Sequence, residues 1–257
     1  MPMKSRILHF VNREGHNLAA QLDLPDERRP EAFALFAHCF TCSKNLKAVA
    51  NITQSLAQGG IGVMRFDFTG LGQSEGDFSE TSFTTNVSDL TDAARYLEDH
   101  YEPPQLLIGH SFGGAAVLQA AGSVEYARAV VVIGAPARTD HVLKHMPNAE
   151  KQIRESGEAE VLLDGRPFRI KKQFLDDLKA GAMSRTIKSL NRALLILHSP
   201  VDNIVGIENA TEIFQSAMHP KSFVSLDTAD HLMTDPADSR YAGSVIAAWA
   251  KRYIRSS

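Results

Sequence analysis

Gln105-Leu106-Leu107-Ile108-Gly109-His110-Ser111-Phe112-Gly113-Gly114-Ala115-Ala116-Val117-Leu118 carries the reading of this chain. An apolar run meets a serine between two glycines, and a run of small residues follows. The pattern predicts a strand, a sharp turn and a helix, with Ser111 on the turn. Glycines two before and two after the serine suit a turn so tight that side chains there would collide with neighbouring backbone. The helix that follows points its N-terminal N–H groups and positive dipole end at any negative charge developing near the serine.

Outward from this turn, apolar runs alternate with helical patterns. Arg6 to Val11 and Asn17 to Leu24 predict a hairpin through the polar turn Asn12 to His16. Ala32 to Ala37, Ile61 to Phe66, Ala129 to Ala135, Ala193 to His198 and Ser222 to Leu226 read as further strands. Their continuous apolar character suits a sheet buried on both faces. Helices are predicted over Lys44 to Gln58, Ser82 to His100, Glu208 to Ala217 and Asp238 to Ile254. Such alternation implies an α/β fold with about eight mostly parallel strands, the first pair antiparallel.

Residues 137–188 interrupt the alternation and exceed a usual connection. They hold helical stretches at Asn148 to Glu155 and Lys172 to Leu178. Between these, Asp164-Gly165 separates two short runs, a hairpin signal. The expected organisation is a core of residues 1–136 and 189–257 with a small lid, 137–188, over the C-terminal sheet edge. Arg166, Arg169, Lys171 and Lys172 read as a solvated lid face, and Phe168 and Phe174 as lid core.

A serine hydroxyl needs a base, and the base an orienting carboxylate. Asp202 follows the strand Leu194 to His198, and His231 follows the strand Phe223 to Leu226. That gives the chain order serine, acid, histidine. Asp202 is assigned as the acid and His231 as the base. Asp227 and Asp230 are the rival acids, and His38, His110 and His198 the other strand-end histidines. The backbone N–H groups of Phe112 and Phe40 are the expected oxyanion donors.

The remaining motifs suit no other chemistry. The glycine-rich Asp67 to Gly76 lacks the lysine and hydroxyl residue of a phosphate loop. Cys39-Phe40-Thr41-Cys42 reads as two small residues in a tight loop, not a metal or thioredoxin-type site. Were that pair oxidised to a disulfide, Phe40 would be expected to shift and activity to fall.

With 257 residues, 44% hydrophobic and 22% charged, the composition is that of a globular enzyme. A net charge of −3 gives no reason to expect a nucleic-acid partner. No apolar run has the length of a membrane span, and the N-terminus lacks a secretory h-region. A cytoplasmic enzyme is the default expectation, with no metal or cofactor.

The chain resembles the α/β-hydrolases of the serine esterase branch, and more narrowly the hydrolase part of bacterial bifunctional α/β-hydrolase/OsmC proteins. Ala34 to Asn45, Arg65 to Gly72, Gly109 to Gly114, Gly165 to Lys171 and Pro220 to Leu226 carry the likeness. It implies Ser111, Asp202 and His231 as a triad, with Phe40 and Phe112 as backbone donors. The lid is similar to that of cinnamoyl and feruloyl esterases. The OsmC peroxidase domain is absent from this sequence. Cys39 stands where many α/β-hydrolases carry glycine. The expected activity is ester hydrolysis through an acyl-enzyme on small, aromatic or short-chain acyl esters. Thioester, amide or carbon–carbon hydrolysis on the same triad is the alternative, as is a non-catalytic module beside an OsmC-type peroxidase.

Overall fold

The computed structural model describes residues 3–26, 28–163, 165–180 and 183–254. The central strands are β1 (Met3–Val11), β2 (Asn17–Pro25), β3 (Ala32–Ala37), β4 (Ile61–Phe66), β5 (Pro104–His110) and β6 (Ala129–Ile133). After a hairpin of β7 (Glu158–Leu163) and β8 (Arg166–Lys171) come β9 (Ala193–His198) and β10 (Lys221–Ser225). The main sheet has eight strands in the order β1-β2-β4-β3-β5-β6-β9-β10. β1 and β2 are antiparallel to each other and β2 is antiparallel to β4, while every pairing from β4 to β10 is parallel.

Strand periodicity explains the two apolar layers. Phe33, Leu35 and Ala37 of β3 face one side with Leu107, Val130, Val132, Leu194 and Ile196. Ala32, Ala34 and Phe36 face the other with Leu106, Ile108, Val131 and Leu195. Helices α1 (Lys47–Gln58) and α8 (Pro236–Ala250) cover the second side. The first side receives α2 (Phe83–His100) and α3 (Phe112–Ala120). A capping box starts α2, with Ser82 and Thr85 each bonding the other's backbone N–H.

The long connection from β6 to β9 holds a 3₁₀ turn (Thr139–His145), α4 (Pro147–Ser156), the β7–β8 hairpin, α5 (Lys172–Ala180) and α6 (Met183–Lys188). Asp164 of the expected turn lies outside the described residues. Ile153, Phe174, Leu175, Leu178, Met183 and Ile187 are buried in the same apolar cluster as α2 and α3. This segment is thus packed continuously onto the core. After β9, α7 (Glu208–Ser216) adds Ala210 and Ile213 to that cluster.

One expectation is corrected. Cys39 and Cys42 are not two unlinked small residues but a disulfide, with Cα atoms 5.3 Å apart. The short loop brings their Cα atoms within bridging range, and the Cys42 N–H donates to the Cys39 carbonyl at 3.1 Å.

Candidate active site

The serine turn is as tight as its glycines demand. Ser111 sits at φ 55°, ψ −124°, and α3 begins at the next residue. A Cβ on Gly113 would overlap the carbonyls of Ala37 and His38, and one on Gly109 the backbone of Gly113 and Gly114. The β3 end and the start of α3 therefore touch through bare backbone. The Ser111 N–H donates to the Ile133 carbonyl at 2.8 Å, fixing the turn to β6.

Residues far apart in the chain converge on Ser111. His231 Nε2 lies 2.9 Å from Ser111 Oγ, and His231 Nδ1 lies 2.7 Å from Asp202 Oδ2. The arrangement fits the Nδ1–H tautomer, which donates to the carboxylate and accepts from the hydroxyl. The other Asp202 oxygen accepts from the N–H groups of Ile204 and Val205, each at 2.9 Å. Burial pushes the Asp202 carboxyl up. The bond and charge of His231 and these two N–H groups outweigh it, holding Asp202 below the ordinary carboxylate range. Of the rival acids, the Asp230 carboxylate accepts from the Thr234 N–H at 3.0 Å and from its hydroxyl, and Asp227 is exposed, while the carboxylate that His231 Nδ1 meets is that of Asp202.

Phe112 occupies the first position of α3, where an N–H has no partner within its helix. Neither its N–H nor that of Phe40 has an acceptor among the described residues. Both residues line one cavity of about 340 Å³ with Ser111, His231, Cys39 and Cys42. Apolar side chains from three directions complete its wall, including Leu162 and Leu163 of β7, Ile204 and Leu232. The Phe40 ring packs against Phe78, Phe112 and Phe174, with centroids 5.2–5.5 Å away. Phe174, expected as lid core, is buried in the apolar cluster and also stacks on Phe40 of this loop. Arg166, expected on a solvated face, is exposed and also donates to the Thr41 carbonyl and lies over the Phe168 ring at 5.4 Å.

Beneath the loop lies a buried ionic network. Asp67 accepts from the Lys44 ammonium at 2.7 Å, from its N–H at 2.6 Å and from the Gln73 N–H at 3.0 Å. Arg65 donates to Asp23 at 2.9 Å and to the Lys44 carbonyl. The glycine-rich segment is thus a turn folded around Asp67. A Cβ on Gly72 would overlap that carboxylate.

Chain order did not foretell three supports. His110 Nε2 bonds the His231 carbonyl at 2.8 Å, and His198 Nε2 bonds the Val205 carbonyl at 2.7 Å. Each strand-end histidine thus holds the backbone of a loop bearing His231 or Asp202. Burial, reinforced by the neighbouring His231, lowers His110 to about 3, so its ring is neutral. Gly134, at φ 53°, closes the floor: a Cβ there would stand 3.3 Å from Asp202 Oδ2 and 3.4 Å from His231 Nδ1. The signal for the histidines was their common place at strand ends; the acceptor of His110 lies 121 residues away, and that of His198 seven residues on, in the loop that follows its own strand.

Residues 34–254 match the family model described as the alpha/beta hydrolase family. The chain belongs to the alpha/beta hydrolase family. Among solved family structures, it is similar to the esterase domain of a Rhodothermus marinus protein. Identity is 49%, over 99% of this chain and 100% of that one, with a TM-score of 0.79. The mitochondrial palmitoyl-protein thioesterase ABHD10 of Rattus norvegicus is 25% identical over 213 residues, spanning 79% of this chain and 70% of that protein. Est1E of Butyrivibrio proteoclasticus, solved with ferulic acid bound, is 17% identical over 96% of this chain and 99% of its own, with a TM-score of 0.81. That last likeness is one of fold alone. Among the described residues, no helix is long and apolar enough to cross a membrane.

Proposed function

We propose that this alpha/beta hydrolase is a serine carboxylic ester hydrolase that works through an acyl-enzyme. The carrying observation is the hydrogen-bonded series Ser111–His231–Asp202, with Ser111 and His231 opening on an apolar cavity. In this reading His231 Nε2 takes the Ser111 proton as Oγ attacks the ester carbonyl. Asp202 holds the imidazole and offsets its charge while it is protonated. The Phe40 and Phe112 N–H groups receive the oxyanion. His231 then protonates the leaving alkoxide. Water, activated by the same histidine, attacks the acyl carbonyl and frees Ser111.

The cavity suits a short or aromatic acyl group. Its phenylalanine and leucine walls offer apolar contact, and it is at the small end of ligand sites. Residues 137–188 act as a lid in this reading, because Leu162 and Leu163 come from the hairpin they contain. The thioesterase relative favours a second reading, thioester hydrolysis by the same residues.

The test is Ser111→Ala. Turnover of p-nitrophenyl butyrate is expected to vanish while the circular dichroism spectrum is kept, and a fluorophosphonate probe is expected to label the parent protein alone. Retained turnover would remove Ser111 from the chemistry. Parallel kcat/KM values for a butyryl ester and a butyryl thioester separate the two substrate readings.

A further inference from the structure

The disulfide lies in the wall of the cavity that holds Ser111. Cys39 is buried, Cys42 is half-buried, and both line that cavity. The bridge spans only Phe40 and Thr41, and Phe40 carries one of the two N–H groups assigned to the oxyanion. We propose that Cys39–Cys42 is a thiol-reactive site in the catalytic cavity, and that a dithiol reagent entering there loosens the Phe40 donor. The proposal rests on the acyl-transfer reading above, and it names a control on that same site.

The bridged loop is held in an uncommon conformation. Thr41 sits at φ 63°, a left-handed value rare for a β-branched residue. Such a residue keeps this conformation only where its surroundings over-determine it. Four constraints meet on it: the bridge, the Cys42 N–H bond to the Cys39 carbonyl, the Thr41 hydroxyl donating to the Phe40 carbonyl at 2.6 Å, and Arg166 donating to the Thr41 carbonyl. Opening the bridge removes the covalent one. Thr41 can then relax toward negative φ, which turns the Phe40–Thr41 and Thr41–Cys42 peptide planes; with the ends of the stretch no longer tied, Phe40 adjusts in turn, and the Cys39–Phe40 peptide that carries the Phe40 N–H moves with it. The Phe40 ring stays anchored among Phe78, Phe112 and Phe174, so the loop shifts rather than unfolds. This reverses the expectation that bridging would impair the enzyme: the bridged loop is the one seen beside an assembled Ser111–His231–Asp202 series.

One thiolate of the dithiol attacks Cys42 Sγ, the sulfur on the more exposed residue. The Cys39–Cys42 bond breaks and the Cys39 thiolate leaves and takes a proton. The reagent's second thiolate attacks its own sulfur in the mixed disulfide and expels the Cys42 thiolate, which is protonated in turn. Two electrons pass to the bridge, and the dithiol becomes a cyclic disulfide.

The experiment compares protein as oxidised with protein reduced by dithiothreitol and desalted under argon. Without denaturant, reduction should expose two titratable thiols per chain. The kcat for p-nitrophenyl butyrate should fall by about ten- to a hundredfold, as expected for a sub-ångström to ångström displacement of a catalytic group. KM should change by less than about threefold, since the donor acts in the transition state. Reoxidation should restore kcat. The Cys39→Ser/Cys42→Ser double variant should match the reduced enzyme and ignore dithiothreitol. Should that variant not fold, the reduced parent carries the test. Three results would each overturn the proposal: no thiols without denaturant, an undiminished kcat after reduction, or a double variant that still responds. An inactive Ser111→Ala beside an unaffected reduced enzyme sinks this proposal alone. An active Ser111→Ala sinks the acyl-transfer reading itself.

Discussion

His110 Nε2 and the main-chain carbonyl of His231 lie 2.8 Å apart, so the residue before the serine holds the backbone of the histidine that bonds it. The two rings are 5.1 Å apart at their centroids. His110→Ala leaves the His231 carbonyl without its donor, a loss of about 1–3 kcal/mol in a buried site. The expected outcome is a kcat for p-nitrophenyl butyrate reduced by about tenfold or more, with KM nearly unchanged, because positioning of the base is lost and substrate contacts are not. Steady-state kinetics beside a thermal melt separates this from simple instability. A variant with lowered melting temperature but parental kcat removes His110 from the positioning role.

The same burial makes stability pH-dependent. Burial lowers both His110, to about 3, and His38, below the ordinary imidazole range. An unfolded histidine titrates near 6.5. Between these values the unfolded chain binds protons that the folded one refuses, so stability is present above about pH 6.5 and lost as pH falls. Each histidine contributes a slope of up to about 1.4 kcal/mol per pH unit. Urea midpoints measured from pH 7 to pH 4.5 should fall steadily, and less steeply in a folded His110→Gln variant. A flat profile in the parent protein contradicts the neutral, buried assignment.

Asp202 meets His231 at 2.7 Å and is held in turn by the Ile204 and Val205 N–H groups. Asp202→Asn keeps the shape but offers His231 Nδ1 either an amide donor or an uncharged acceptor. The wrong imidazole tautomer is then favoured. By analogy with triads in other folds, kcat should drop by about 10³–10⁴ with the fold intact. Measuring kcat for Asp202→Asn beside Asp227→Asn checks the assignment. A deep loss in the second and not the first would move the acid to Asp227.

The fold was legible because its signals are local. Continuous apolar runs marked strands with two buried faces, and Gly109 and Gly113 marked a turn where backbone meets backbone. The meeting of Ser111, Asp202 and His231 followed from chain order and from their common place beyond parallel strands. What was not legible depends on pairings across long sequence distances. Arg166 reaches the Thr41 carbonyl across 125 residues, and His110 reaches the His231 carbonyl across 121. A side chain seeking a backbone carbonyl leaves no trace at the acceptor's position, because every residue supplies one. The disulfide was hidden for a different reason. A two-residue interval permits a bridge but does not require one, and the turn that closes it is set by Thr41 at positive φ.

Lys44 tests the support beneath the Phe40 loop. Its ammonium and N–H both donate to the fully buried Asp67, and its carbonyl accepts from Arg65. Lys44→Met removes the cation and strands the Asp67 charge, a loss of about 3–5 kcal/mol for a broken buried pair. The double change Lys44→Met with Asp67→Leu removes both charges, and should recover part of that stability. Chemical denaturation of parent, single and double variants gives the three values required. A single variant as stable as the parent would show that the pair does not hold the loop.

Phe174 joins the segment after β8 to the Phe40 loop. Only 3% exposed, it stacks on Phe40 at 5.4 Å and 30° and meets Phe112 at 6.3 Å. Phe174→Ala should lower stability by about 3–5 kcal/mol through the void left in the core. That void lies behind two phenylalanines of the cavity wall, so their rings can fall back into it. Two kinetic effects should accompany the loss. The kcat for p-nitrophenyl butyrate should decrease, because Phe40 loses a neighbour that keeps its N–H in place. The ratio of kcat/KM for the octanoate to that for the butyrate should rise, because a retreating wall admits a longer acyl chain. Phe174→Leu fills most of the void and should fall between parent and alanine variant on all three measures. If Phe174→Ala is less stable yet keeps both the parental kcat and the parental acyl preference, the residue serves the core alone, and the 137–188 segment does not set the shape of the cavity through it.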